Sequence, residues 1–222
     1  MLKALRPSPF HSHSQLPLRH QRLRAEAAEL VDLAGETAET ASLYGLEEKE
    51  TRDFGQRCLL ARRMLERGVR FVQVYSGDTN GWDAHNDVLK NHTQMCRATD
   101  QPVAALLTDL KRRGLWDDTL IIWGGEFGRT PQGEIRDLPG RDHHIEAFTM
   151  WMAGGGVKPG LSIGKTDEIA WGAVEDRVHV HDLHATLMQL LGFDHEKLTF
   201  RFQGRDFRWT DVHGVVVKKL MA

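Results

Sequence analysis

The chain has 222 residues, of which 41% are hydrophobic and 27% charged, and a formal net charge of -2. That is enough polypeptide for one good-sized core, since single cores stop growing only beyond roughly 250 residues. The near-neutral balance gives no electrostatic reason to expect nucleic acid or an anionic membrane as a partner, and Cys58 and Cys96, without CxxC spacing, suggest neither a zinc ribbon nor a disulfide framework.

The first twenty residues hold three prolines, three serines and His11, His13 and His20 without apolar periodicity, the composition of a disordered or loosely attached arm. They include basic residues but no apolar core or small-residue cleavage site, so no signal peptide is expected in this chain. No apolar run anywhere approaches the ~18 residues of a membrane-spanning helix. From Gln21 to about Leu33, "LRAEAAELVDL" has a helical pattern. A second helix is predicted from Glu47 to Glu66, where Phe54, Cys58, Leu59, Ala61, Met64 and Leu65 recur at helical spacing and Gly68 follows as a stop.

After that glycine the text changes. "VRFVQVYS" is short, β-branched and aromatic, and is flanked by Gly68 and Gly77, which predicts a buried strand. Residues 87–114 carry the helical period, with Gly114 as the expected C-terminal stop and Pro102 implying a kink or break. "TLIIWGG" reads as the next strand and "AFTMWMAGGG" as a third. "HDLHATLMQLLG" then places Leu183, Leu187, Leu190 and Leu191 on one helical face, with Gly192 as its cap. Strand, helix, strand, strand, helix predicts an α/β sandwich with a largely parallel sheet.

Polar clusters sit beside each predicted strand, and in parallel sheets ligands gather beyond the strands' carboxyl ends. "GWDAHND" places Asp83 and His85 after the first. "GGEFGRTP" places Glu126 after the second, among glycines that permit a tight loop, with Arg129 as an anion contact. "GRDHHIEAF" brings Asp142, His143, His144 and Glu146 ahead of the third. A divalent metal needs hard oxygen or imidazole donors from several loops, because no short segment can surround an ion alone. Each cluster also has a structural explanation: Asp83 as a helix cap, Glu126 paired with Arg129, Asp142 paired with Arg141. In "RVHVHDLHATL", His181 and His184 share a helical face at i, i+3 spacing, a further possible metal pair, while Asp182 is an equally good N-terminal cap. His92, His195 and His213 are read as structural.

The order of these motifs, "RFVQVYSG…GWDAH…LLTDLKRRGLWDDTLIIWGGEFGRTP…GRDHH…FTMWMAGGGVKPG…VHVHDLHATLMQLLG", resembles the bacterial domain-of-unknown-function family 1501, a sulfatase-like branch of the alkaline phosphatase superfamily, over about residues 21 to 222. The resemblance implies a three-layer α/β sandwich and a site in which Asp83, His85, Glu126, Asp142 and His143 hold divalent metal (zinc, calcium or manganese), with Arg129 steadying an anionic group. Phe127 stands where the superfamily has a second histidine, and Glu146 where relatives have another. The superfamily's first strand, with its Asp ligand and the Ser, Thr or modified Cys nucleophile that attacks phosphorus or sulfur, has no counterpart before Gly68. The chain therefore resembles the C-terminal part of such a protein, and the resemblance implies that the N-terminal half is lacking.

The function implied is that of the metal-binding portion of a hydrolase of sulfate or phosphate esters, inactive or feeble by itself. Its intact relatives would be exported or periplasmic and act on small anionic esters. The alternative is a non-enzymatic module that keeps the fold and binds a ligand or partner. Missing first strands would also leave edges that favour self-association or docking with the absent half.

Overall fold

The computed structural model describes residues 28–77, 81–133 and 135–222. The proposed arm and most of the helix expected from Gln21 lie outside them; residues 28–31, the described end of that helix, are helical.

The body of the fold is helical. Helix α1 spans Ala38–Leu43, α2 Arg52–Glu66 and α3 Val88–Arg112. The apolar positions of α2 recur at helical spacing, and they bury Phe54, Cys58 and Leu59 against Tyr44 and Ala105, the last from α3. Helix α3 starts at Asp87, which adopts the left-handed conformation at φ 47° and accepts a hydrogen bond from Lys90 N at 3.3 Å. Its end follows the sequence signal, with Gly114 at φ 67° just beyond the last turn. Pro102 does not break the helix. It is buried mid-helix and the α-helical span runs through it.

The core has a charged layer over it. Arg62, 3% exposed, reaches Glu66 at 2.6 Å, Glu36 at 2.9 Å and Asp109 at 3.1 Å. Its Nε faces Asp109 Oδ2 off the angle a hydrogen bond needs, so that contact is an ion pair only. The Tyr44 hydroxyl donates to the same Asp109 oxygen at 3.1 Å, and burial, followed by the Asp109 carboxylate, pushes the phenol pKa well up.

Burial also pushes the Cys58 thiol up to about 12, whereas Cys96 is exposed on α3. The thiolate is the reactive form. Iodoacetamide at pH 8 is therefore expected to label one thiol in the native protein, at Cys96, and two in denaturant; peptide mapping of the alkylated sites checks this.

The strands overturn the predicted sheet. Instead of a largely parallel sheet in a three-layer sandwich there are, among the described residues, four separate two-stranded antiparallel pairs. β1 (Leu120–Trp123) pairs with β4 (Trp151–Gly154), Trp123 opposite Trp151. β2 (Gly128–Arg129) pairs with β3 (His143–His144), β5 (Lys165–Thr166) with β6 (Ala173–Glu175), and β7 (Thr199–Phe202) with β8 (Arg205–Arg208). Parallel neighbours need a crossover of a dozen or more residues, usually a helix. The described residues between β1 and β4 carry the β2–β3 pair and no helix, and the chain returns beside β1 in the opposite sense.

"VRFVQVYS" is extended but joins no ladder among the described residues. Its burial still alternates, with Phe71, Gln73 and Tyr75 outward and Val72, Val74 and Ser76 less exposed. Val74 packs on the helical core and Arg57 donates to Tyr75 O at 2.9 Å. The expected buried strand is thus a half-covered edge segment, with Phe71 80% exposed. A strand is defined by its partner, and β1 pairs with β4 instead.

Helix α4, Val180–Leu190, is capped by His179 rather than Asp182. Asp182 occupies the third helical position and completes a capping box by accepting from His179 N at 3.0 Å. Its other oxygen accepts from Val215 N at 2.7 Å, tying the helix to the C-terminal segment. Gly192, at φ 84°, follows its last turn as predicted. Among the described residues no helix is long and apolar enough to cross a membrane.

Candidate metal centre

Because β4 begins opposite the end of β1, residues 124–150 all leave from one end of that pair. Within them, β2 and β3 place Arg129 directly across from His143 and Gly128 across from His144. Opposite residues of an antiparallel pair share a face. Arg129 and His143 therefore project together, while His144 turns the other way, is buried, and contacts Trp171 O at 2.5 Å through Nε2.

The 81–88 loop docks on this pair through main-chain bonds. Arg141 N donates to Ala84 O at 2.9 Å, Asp87 N to Leu138 O at 3.2 Å and Val88 N to Pro139 O at 3.1 Å. The seam closes at Gly140, where a Cβ would overlap the carbonyl group of His85 and stand 2.6 Å from Asn86 N. Thr130 fastens the opposite side: its N donates to Asp142 O at 2.8 Å, and its hydroxyl accepts from Asp142 N at 3.1 Å.

This framework brings three donors together. One ligand atom each from Asp83, His85 and His143 lies within 4.8 Å of the others. Asp83 Oδ1 is the hub, 3.0 Å from His143 Nε2, 3.2 Å from His85 Nε2 and 3.5 Å from Arg129 Nη2. The hydrogen bond from His143, partly opposed by burial, and then the charges of His85, His143 and Arg129 hold the Asp83 carboxyl below the usual aspartate range. The sign follows from that depression: the pairings stabilise the fold fully above the ordinary aspartate pKa and lose that contribution as pH falls through the lowered one.

The other expected ligands are placed differently. Asp142 Oδ1 is 3.0 Å from His85 Nδ1, behind the ring rather than beside Nε2. Glu126 is 64% exposed and lies 3.6 Å from Arg129. Glu146 is exposed and outside the three-donor group. His181 and His184 are outside the three-donor group: His181 lies against the rings of His179 and His213 at 5.0 and 5.3 Å, and His184 Nδ1 faces Val180 O on its own helix. His195, read as structural, is buried against Thr210 at 2.9 Å. Phe127 packs on His143 with ring centroids 4.7 Å apart, and Arg129 lies over the same Phe127 ring.

The donor chemistry fits a metal. Ligand atoms around a tetrahedral ion with bonds near 2.0–2.1 Å stand about 3.3 Å apart, and two edges of the cluster measure 3.0 and 3.2 Å. Sequence reasoning missed Gly140 and Thr130, which fix the loops without being ligands. The glycine ahead of Arg-Asp-His was visible, but nothing local revealed the backbone it meets.

Fold and site together define a small mixed α/β protein with an Asp-His-His cluster built from the 81–88 loop and strand β3. The chain belongs to the family described as protein of unknown function, DUF1501, which it matches over residues 1–221. No curated protein and no solved structure matches it.

Proposed function

We propose that Asp83, His85 and His143 hold a divalent cation and that the site is of the kind used by sulfatase- and phosphatase-like hydrolases on sulfate or phosphate esters. The observation that carries the reading is the convergence of two imidazoles, His85 from the same loop as Asp83 and His143 from β3 60 residues away in sequence, on one oxygen of the Asp83 carboxylate. Two imidazoles and one carboxylate suit zinc or manganese better than calcium, which takes six to eight oxygens. A bound cation would supply Lewis acidity to an anionic ester oxygen. Arg129, 22% exposed and beside Asp83, would orient the anion.

Turnover by this chain alone is expected to be feeble or nil. Among the described residues no Ser, Thr or Cys side chain hydrogen-bonds to Asp83, His85 or His143, and the Thr130 hydroxyl is committed to Gln132 O at 2.5 Å. A second reading, a non-enzymatic metal- or ligand-binding module, is favoured by Phe127, which fills space against His143 where a further donor would stand.

Protein purified from zinc-supplemented medium is expected to carry about one metal per chain. Asp83→Ala should lose it with an unchanged far-UV spectrum. Zinc content that is negligible in both would sink the reading. Aryl sulfate and aryl phosphate assays of the loaded protein separate the two functions, since only the hydrolase reading allows turnover that disappears with the metal.

A further inference from the structure

Asp142 stands in the motif as one more carboxylate for the ion, yet its position serves a different role. We infer that Asp142 is a positioning residue that holds His85 by Nδ1 and presents Nε2 to the cation, leaving Asp83, His85 and His143 as the protein donors; this rests on the metal reading above.

The two nitrogens of an imidazole point in divergent directions, so a group bonded to one cannot share an ion bonded to the other. Asp142 Oδ1 meets His85 Nδ1 at 3.0 Å, while His85 Nε2 faces Asp83 Oδ1 at 3.2 Å. His143 Nε2 meets that same Asp83 oxygen at 3.0 Å. The donor side of the cluster is thus assembled without Asp142, which is outside the group of three converging ligand atoms. A carboxylate on the far nitrogen of a ligating histidine fixes its tautomer and ring orientation and strengthens it as a donor.

Asp142 is fitted to that task. Its main chain is clamped on both polar groups by Thr130, and its side chain is 47% exposed. The carboxylate is therefore aimed by the backbone, and replacing it leaves the clamp in place. With Asp142 excluded, three protein donors remain among the described residues. Three-donor sites keep a position for water or an exogenous ligand, whereas structural zinc sites are closed by four. Arg129, 3.5 Å from Asp83 Oδ1, lies at the edge of this open site, so the exchangeable ligand it favours is a small oxyanion.

The test uses the full chain, titrated with cobalt(II) and zinc(II), and compares Asp142→Asn with Asp142→Ala. The asparagine carbonyl still accepts from Nδ1–H, so affinity should stay within about fivefold of the unmodified chain, while alanine should weaken it by about 10- to 100-fold. The visible cobalt bands should keep their positions in both, because the donor set is unchanged. Equal losses in the two variants, with bands shifted toward a different coordination number, would show Asp142 to be a ligand and overturn the inference. So would an alanine variant that binds like the unmodified chain. If the unmodified chain binds neither ion, the metal reading itself fails, and this inference with it.

Discussion

Gly140→Ala is expected to destabilise the protein by about 3 kcal/mol, the top of the usual range for overpacking a tight site, and to abolish metal binding at the same time. The new methyl would overlap the carbonyl of His85 and crowd Asn86 N, and all of these are backbone atoms with no flexible end to swing aside. Relief requires the 138–141 segment to withdraw from the 84–88 loop. That movement breaks the main-chain bonds from Arg141 to Ala84 and from Asp87 and Val88 to Leu138 and Pro139. Asp83 and His85 would be drawn away from His143 and Asp142. Gly35→Ala is the control: nothing stands within 4 Å of its Cβ position, and its effect should stay within about 0.5 kcal/mol. Urea unfolding and zinc titration of both variants check the pair of outcomes. A Gly140→Ala protein as stable and as metal-competent as its parent would mean that the two loops do not meet as described.

Arg62→Ala is expected to cost about 3–5 kcal/mol, the range for removing one partner of a buried ionic group. Arg62 is 3% exposed and joins α2 to Glu36 ahead of α1 and to Asp109 on α3. The surrounding network holds three cations, Arg62, Arg63 and Arg113, against three carboxylates, Glu36, Glu66 and Asp109. Alanine leaves one carboxylate in excess and a void over the core. Each acid keeps another partner: Arg63 for Glu36, and Arg113 for Glu66 and Asp109. The cost should therefore fall toward the lower end of that range. Chemical denaturation at neutral pH measures it. A loss below 1 kcal/mol would place Arg62 among surface pairs of little consequence.

These two sites differ in how visible they are beforehand. The helices are legible: the apolar spacing of Phe54, Cys58 and Leu59 marks α2, and Gly114 and Gly192 mark where α3 and α4 end. The positions of β1 and β4 are legible as well, from their apolar runs. Their sense is not, because "LIIW" and "WMAG" read the same whether they lie parallel or antiparallel. "VRFVQVYS" shows the same limit. Its alternation survives in the fold, but pairing depends on a neighbour that the stretch itself does not encode.

The candidate site divides along the same line. The amino-acid sequence by itself determined which chemical groups are available near the ends of elements: Asp83 and His85 after an extended run, His143 in a loop before β4, Arg129 behind a glycine turn. Tertiary structure alone decided which of them meet. It set His143 across from Arg129 through the β2–β3 register, put Asp142 behind His85 rather than beside Asp83, and left Glu126, Glu146, His181 and His184 outside the cluster. The physical reason is range. Helical periodicity and turn chemistry act over a few residues, whereas a three-donor cluster requires contacts between segments about 60 residues apart, which only the packing of whole elements fixes.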